Sequence, residues 1–430
     1  MTKILVTTSS FPVSDKDEVP AFVKDQIIEL KKLYPELDFV VHTPHNYYSQ
    51  TVSKLSSHND YKEVRYHYFK PYKWELLVGR GIMPALRKNK LLYAQIPFFI
   101  FFEFLTLLNL TKKEKPDLIY AHWFMPQAIT ASLVSKITGV PFAFTTHASD
   151  VSVLRKVPFT RKLIRSACHQ AGAYTAVSKR TANKLRDSFS AEDWQKNFKS
   201  KLYVVPMGVS AKKTVVSPDR LKAVIQKYNL PQDKKFVLFI GRLAEKKGVE
   251  YLLEAIPQIN PKILKTLHFI IAGDGQLKDD LIAKANFLGI MSPSPSSSDA
   301  GLATVTFTGY VHGADKQALL SIADATCFPS IIDSKKDSEG FPVVVMESLA
   351  AGKIVMTTDV SGAEDVIKSG VDGFIFKQKS SKEIKNAIEN FSSMISGDKQ
   401  KMQQNAKKLA QQFDWATIAD KHYQIFKKVL

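Results

Sequence analysis

Short apolar runs alternate with amphipathic stretches along nearly the whole of this 430-residue sequence. In the first half the runs are KILVTT, DFVVHT, VRYHYF, DLIYAH, FAFTTH, AYTAV and LYVVP, with helical patterning near residues 20–33 and 127–138. The second half restarts with KFVLFIG, LHFIIAG, TVTFTGY, ATCFPS, KIVMTT and DGFIF, each followed by a helical pattern. Parallel strands need long crossovers, and helical crossovers cover both faces of the sheet they connect. The alternation therefore predicts an α/β protein with two doubly wound domains, a number its length can support. Ligands on such sheets lie beyond the carboxyl ends of the strands, which makes the residues just after each run the candidates for a site.

Composition narrows the setting. With 45% hydrophobic and 23% charged residues the chain reads as an ordinary globular protein. Cys168 and Cys327 are its only cysteines, too far apart for a disulfide framework or a metal-ligand spacing, so a reducing cytoplasm is the simpler home. The opening MTKILVTTSSFP runs straight into a strand pattern and has no secretory core. The longest apolar stretch, Leu91 to Leu110, contains Gln95, Pro97 and Glu103 and reads as non-spanning. Net charge is +19 and unevenly spread: residues 1–210 hold 30 Lys and Arg against 17 Asp and Glu, the remainder 30 against 24. The basic first half suits nucleic acid, anionic lipid or an acidic substrate, and charge alone does not choose among them. Between Pro71 and Leu110, Trp74, Arg80, Arg87, Lys88 and Lys90 lead into the apolar stretch, as either a membrane-surface segment or a core helix with a solvated basic end.

The most specific chemistry lies between Pro329 and Val360. Glu339 and Glu347 stand eight residues apart, separated by Gly340, Phe341, Pro342 and an apolar run. A helix starting near Pro342 would aim its positive end at the Glu339–Phe341 turn, an arrangement that suits a diphosphate with hydroxyl groups on either side. The same residues also read as a buried helix with two solvated glutamates, or as a strand. The polar segment IIDSKKDS before Glu339 is expected to form a flexible edge, and MSPSPSSSDAG at 291–301 an exposed loop. In GRLAEKKG at 241–248, Arg242 and Lys247 lie on the loop after the second half's first strand, where two cations clamp one diphosphate or simply form a basic surface. His122 and His147 each follow an apolar run, with Asp150 close behind.

EGFPVVVMESLAAGKIVM resembles the E-x7-E signature of the retaining family-4 glycosyltransferases, proteins of the GT-B fold, and the similarity extends over nearly the whole chain. The resemblance implies two Rossmann-like domains facing a cleft: residues 1–212 for the acceptor, 213–412 for the nucleotide sugar, and a helix at 413–430 crossing back to the first domain. VVPMGV resembles the turn that joins the domains. GRLAEKKG resembles the family's diphosphate clamp and implies donor contacts from Gly241, Arg242 and Lys247, joined by Gly340, Phe341, Pro342 and Glu347. THASD resembles the H-G-x-D turn whose histidine meets the donor, here with Ala148 for the glycine. The catalytic set implied is thus His147, Arg242, Lys247 and Glu339, with Glu347 on the ribose. The loop after the first strand resembles the family's glycine-bearing loop but has no glycine before Gly79; Ser9, Ser10 and Phe11, with His122 and Asp150, are its candidate cleft residues.

The implied activity is metal-independent transfer of a sugar from a nucleoside diphosphate sugar to a lipid-linked or carbohydrate acceptor. Retention of configuration would follow a covalent intermediate or front-face attack. No cofactor, metal or nucleic-acid partner is expected, and the location is cytoplasmic or peripheral on an anionic membrane. Two other readings remain: a GT-B protein that binds donor without transfer, and a basic nucleic-acid-binding protein, which would leave the two-glutamate turn without a purpose.

Overall fold

The computed structural model describes residues 1–13, 19–46, 55–78, 81–147, 160–210, 216–291 and 304–430. Asp150, Ala148, Arg80 and most of the 291–301 loop lie outside them. The chain forms two compact units, one of Met1–Gly208 with Trp415–Leu430 and one of Val209–Asp414.

The first unit is built on strands β1 (Thr2–Thr7), β2 (Leu37–Pro44), β3 (Leu55–Ser57), β4 (Lys62–Tyr66), β5 (Leu118–His122), β6 (Phe142–Thr146), β7 (Ala173–Ala176) and β8 (Leu202–Val204). They form one sheet in the order β3-β4-β2-β1-β5-β6-β7-β8. All pairs are parallel except β3 with β4. Every residue of β5 and β6 is buried, as expected of strands covered on both faces. The edge strand β3 has no counterpart in the sequence reading, because three polar or exposed residues carry no period.

The terminal helix Trp415–Val429 belongs to this unit. Ala419 and Phe426 join the core of Ile4, Val6, Phe39 and Val41, and Tyr423 stacks on Tyr34 at 3.6 Å. The entry of the helix is tight: a Cβ on Gly208 would stand 2.2 Å from the Trp415 ring.

Helix Ile96–Glu114 buries one face in the core, as the core-helix reading expects, and leaves apolar side chains exposed on the other. Phe99, Glu103, Leu107 and Leu110 are buried, and Leu107 and Leu110 share a core with Leu5, Ile119 and Phe142. Burial pushes the Glu103 carboxyl up to about 7, against hydrogen bonds from Thr130, Tyr66 and Gln127. The opposite face leaves Phe98, Phe101 and Phe102 exposed. By length and composition alone, Lys90–Glu114 is apolar enough to cross a membrane.

The second unit holds β9 (Lys235–Ile240), β10 (Leu267–Ala272), β11 (Val305–Gly309), β12 (Ala325–Phe328), β13 (Ile354–Thr358) and β14 (Gly373–Phe376). They pair in the order β11-β10-β9-β12-β13-β14, all parallel. The order steps outward from β9 in both directions, so the carboxyl ends of β9 and β12 sit where it reverses. The residues after β9 and β12 are the two loops that the sequence singles out. The unit closes on itself where Val209 N–H donates to Phe413 O at 2.8 Å.

Candidate active site

In the second unit, β9 runs into Gly241 and Arg242, and a 3-10 turn at Glu245–Lys247 leads to helix Val249–Ala255. Gly248 joins turn to helix at φ +62°, and an added Cβ there would stand 2.0 Å from Pro329 O. Only glycine lets the loop after β9 close against the loop after β12. Segment 331–338, expected as a flexible edge, is instead tied down. Ser334 N–H and Oγ–H donate to Glu245 at 2.6 and 2.8 Å, and Ile331 N–H donates to Lys246 O at 2.9 Å.

That closure gathers charge. Lys247 Nζ lies 3.1 Å from Glu339 Oε2 and Lys246 Nζ 3.6 Å from Oε1, while Lys246 also reaches Asp337 at 3.2 Å. Burial works to raise the Glu339 pKa. The ammonium groups of Lys247 and Lys246, with a smaller contribution from Arg242, override it and hold the carboxyl at about 2. Lys246 is likewise opposed by burial but held above its ordinary value by Glu339 and Asp337. Both partners therefore stay ionised across the physiological range.

Pro342 is the residue before the helix and not its first position: its ψ of 97° is extended, and the helix is Val343–Ala350. The dipole end still faces the Glu339–Phe341 turn. Gly340 is backed by Gly362, where a Cβ would stand 2.5 Å from Gly340 O. Phe341 packs toward the core, 5.8 Å from Phe413 ring to ring. Glu347, one face along the helix, is bridged by Lys316 Nζ at 2.6 Å.

In the first unit, His122 ends β5 and His147 follows β6, so adjacent parallel strands bring them together, Nδ1 to Nε2 at 3.4 Å. Burial, reinforced by His422, pushes His147 down to about 3. His122 is depressed for the same first reason, with His147 and His422 adding to it. Two neutral imidazoles can donate or accept hydrogen bonds but cannot offset a phosphate charge. Ser9 and Ser10 are half-buried after β1. The Phe11 ring, expected in the cleft, is instead buried in the core cluster of Ile4, Val6, Val23 and Ile27, edge-on to Tyr61 at 5.3 Å. Its carbonyl accepts from Arg65 at 2.9 Å.

Comparison with known proteins assigns both units. Residues 222–409 match the family model for glycosyl transferases group 1, and residues 82–213 match that for glycosyltransferase family 4. The chain belongs to the group 1, family 4 glycosyltransferases. A Bacillus subtilis relative named as a teichuronic acid biosynthesis glycosyltransferase, TuaC, is 28% identical, over 90% of this chain and 89% of its own. A Campylobacter jejuni N-acetylgalactosaminyltransferase, named for a diphosphoundecaprenol-linked acceptor, is 32% identical over 34% of each chain. Anabaena HepE, solved with UDP, superposes with a TM-score of 0.70 at 19% identity over 99% of this chain and 100% of its own. This glycosyltransferase therefore has the GT-B fold.

Several residues of the glycosyltransferase escape sequence reasoning. Lys246 is one lysine beside another, and Lys316 lies near the start of an ordinary helix, Gly313–Ile322. Trp123 is the clearest omission. It sits at φ +79°, 4.4 Å from the His147 ring, and its buried Nε1 has no hydrogen-bond partner among the described residues. Phe22, the first residue of helix Phe22–Leu33, lies 5.1 Å from the His147 ring. The tryptophan's place directly after His122 was the available signal.

Proposed function

We propose that this glycosyltransferase moves a sugar, with retention, from a nucleoside diphosphate sugar to a lipid-linked or other carbohydrate acceptor. The observation that carries the donor class is the cation group of Arg242, Lys246 and Lys247 around Glu339 at the start of helix Val343–Ala350. Preorganised cations and a helix dipole stabilise negative charge as it develops on a departing diphosphate, and need no bound metal to do so. UDP in the HepE structure supports a nucleotide donor. In this reading Glu339 orders the cations beside the donor sugar, and Glu347 meets the ribose. Neutral His147 and the Trp123 indole N–H offer hydrogen bonds to sugar hydroxyls.

Thermal shift with UDP-, GDP- and ADP-sugars, followed by a transfer or donor-hydrolysis assay, tests this. One donor at 100 times its dissociation constant is expected to stabilise the protein by about 2.7 kcal/mol. Glu347→Gln should chiefly weaken free nucleoside diphosphate, which has the ribose but no sugar; Glu339→Gln should chiefly slow transfer. Equal loss of diphosphate affinity in both would remove the division of labour. Donor binding without turnover by the wild type would remove the catalytic reading.

The acceptor reading extends to an anionic membrane under the first unit. Leu91 is 82% exposed, Phe101 55% and Trp74 53%, and Arg87, Lys88 and Lys90 are exposed beside them in sequence. Each basic side chain near an anionic surface contributes on the order of 1 kcal/mol, enough for reversible attachment when aromatic residues insert as well. Sedimentation with vesicles of graded anionic lipid content is expected to carry the protein down at low salt and release it at high salt. A supernatant protein at every composition, or undiminished binding after Arg87→Glu with Lys88→Glu, would overturn the membrane reading and leave the transfer reading standing.

A further inference from the structure

The sequence shows no metal-ligand spacing, yet folding brings His45, His67 and Glu75 together, their ligand atoms all within 4.8 Å of one another. The cause is register. Pro44 of β2 pairs with Tyr66 of β4, so His45 and His67 are the next residues beyond two neighbouring parallel strands and leave the sheet side by side, ring centroids 4.3 Å apart. The chain then turns through Tyr72–Trp74 and returns Glu75 beneath them, fully buried.

Glu75 is held for this position. Its Oε1 accepts from the backbone N–H groups of Tyr68 and Phe69 at 2.6 and 3.1 Å, which leaves Oε2 for the two imidazoles. His45 Nδ1 stands 2.6 Å and His67 Nδ1 2.8 Å from that one oxygen. Tyr72 stacks on the His67 ring at 3.7 Å and fixes its plane. Outer contacts that orient a carboxylate and an imidazole are those that metal ligands use.

The geometry points to a site for a borderline divalent metal ion, zinc being the fitting probe, held by His45 Nδ1, His67 Nδ1 and Glu75 Oε2 in the first unit. Two imidazoles and one carboxylate are a ligand set that zinc accepts, with a fourth position for water. Tetrahedral bonds of about 2.0–2.1 Å place ligand atoms about 3.3 Å apart, so the two carboxylate–imidazole pairs need open by only about half an ångström. The side chains of His45 and His67 are 15% and 32% exposed, which gives an ion a path in. Ligation moves each ring proton from Nδ1 to Nε2, a change of tautomer with no change of charge. The ion would clasp the turn carrying Tyr72 and Trp74 to the end of the sheet. No step of sugar transfer depends on it.

The test is zinc binding to the full chain after chelation and dialysis, by native mass spectrometry and calorimetry, for wild type, His67→Gln and His58→Gln. His67 is partly exposed, so its replacement should leave the fold intact, which circular dichroism checks. His58 serves as the control because it contacts a different carboxylate, Glu63, at 3.4 Å. The expected result is one ion per chain in wild type and in His58→Gln. In His67→Gln the affinity should fall by more than the roughly 10–100-fold that losing an outer contact costs. Equal affinity in wild type and His67→Gln, no zinc bound by wild type, or loss in His58→Gln instead would each overturn the site and leave a hydrogen-bonded histidine pair. None of these outcomes bears on donor binding, so the proposed transfer reaction stands or falls separately.

Discussion

Lys247→Ala and Arg242→Ala are each expected to slow sugar transfer by about 10²–10³ at subsaturating donor, the scale for losing one preorganised charge-stabilising group. Lys247 reaches Glu339 at 3.1 Å on a side chain only 15% exposed, so its charge acts where solvent screens little. Without it, Lys246 at 3.6 Å is the remaining ammonium beside that carboxylate. The Glu339 pKa, set by opposing burial and cations, must then rise. The fold should survive, because the loop is anchored independently by Glu245 to Ser334 and by Lys246 O to Ile331. Initial rates over a donor series measure the effect. Wild-type turnover in either variant would show that the diphosphate is held elsewhere.

Gly248→Ala is expected to destabilise the second unit strongly. A non-glycine residue at φ +62° costs roughly 1–2 kcal/mol for its backbone alone. The new Cβ would also stand 2.0 Å from Pro329 O, and relieving that overlap adds about 1–3 kcal/mol. For a unit of this size each kcal/mol lowers the melting temperature by about 2–4 °C, so a fall on the order of 5–15 °C should appear in calorimetry. Donor affinity should fall with it, since the displaced loops carry Lys246 and Lys247 on one side and lead to Glu339 on the other. Gly289→Ala separates the two causes: φ is +65° there, but nothing lies within 4 Å of the added atom. If both variants melted alike, the close approach to Pro329 would contribute nothing.

Both sheets were legible in the sequence because a strand buried on both faces needs a continuous apolar run, and such runs are local. β5 and β6 are the clearest cases, wholly apolar apart from their last residues or threonines. Leu55–Ser57 was not legible, since an exposed edge strand has no buried face to impose a pattern. The site divides the same way. Arg242 and Lys247 share one loop, and Glu339 and Glu347 lie on one turn and the helix directly after it, so their spacing shows in the chain. Lys316 reaches Glu347 from another helix, and Gly362 reaches Gly340 from another loop. His45, His67 and Glu75 meet through strand register and a turn. Contacts made by packing leave no spacing to read. Phe11 fails for the opposite reason: its place after a strand suggested a ligand, while its size suited the core.

The route of the backbone between the units has a practical consequence. Gly208 lies under Trp415, and Val209 bonds to Phe413, so the chain leaves the first unit and re-enters it at one doorway. In engineering terms, residues 209–414 are a cassette with adjoining ends, inserted into a host whose own first and last segments pack together. Inserts of that kind can be exchanged at two neighbouring cuts without opening the host's core. Chimeras between members of this family should therefore be joined at Gly208 and Trp415, moving residues 209–414 as a block and leaving the core of the first unit intact.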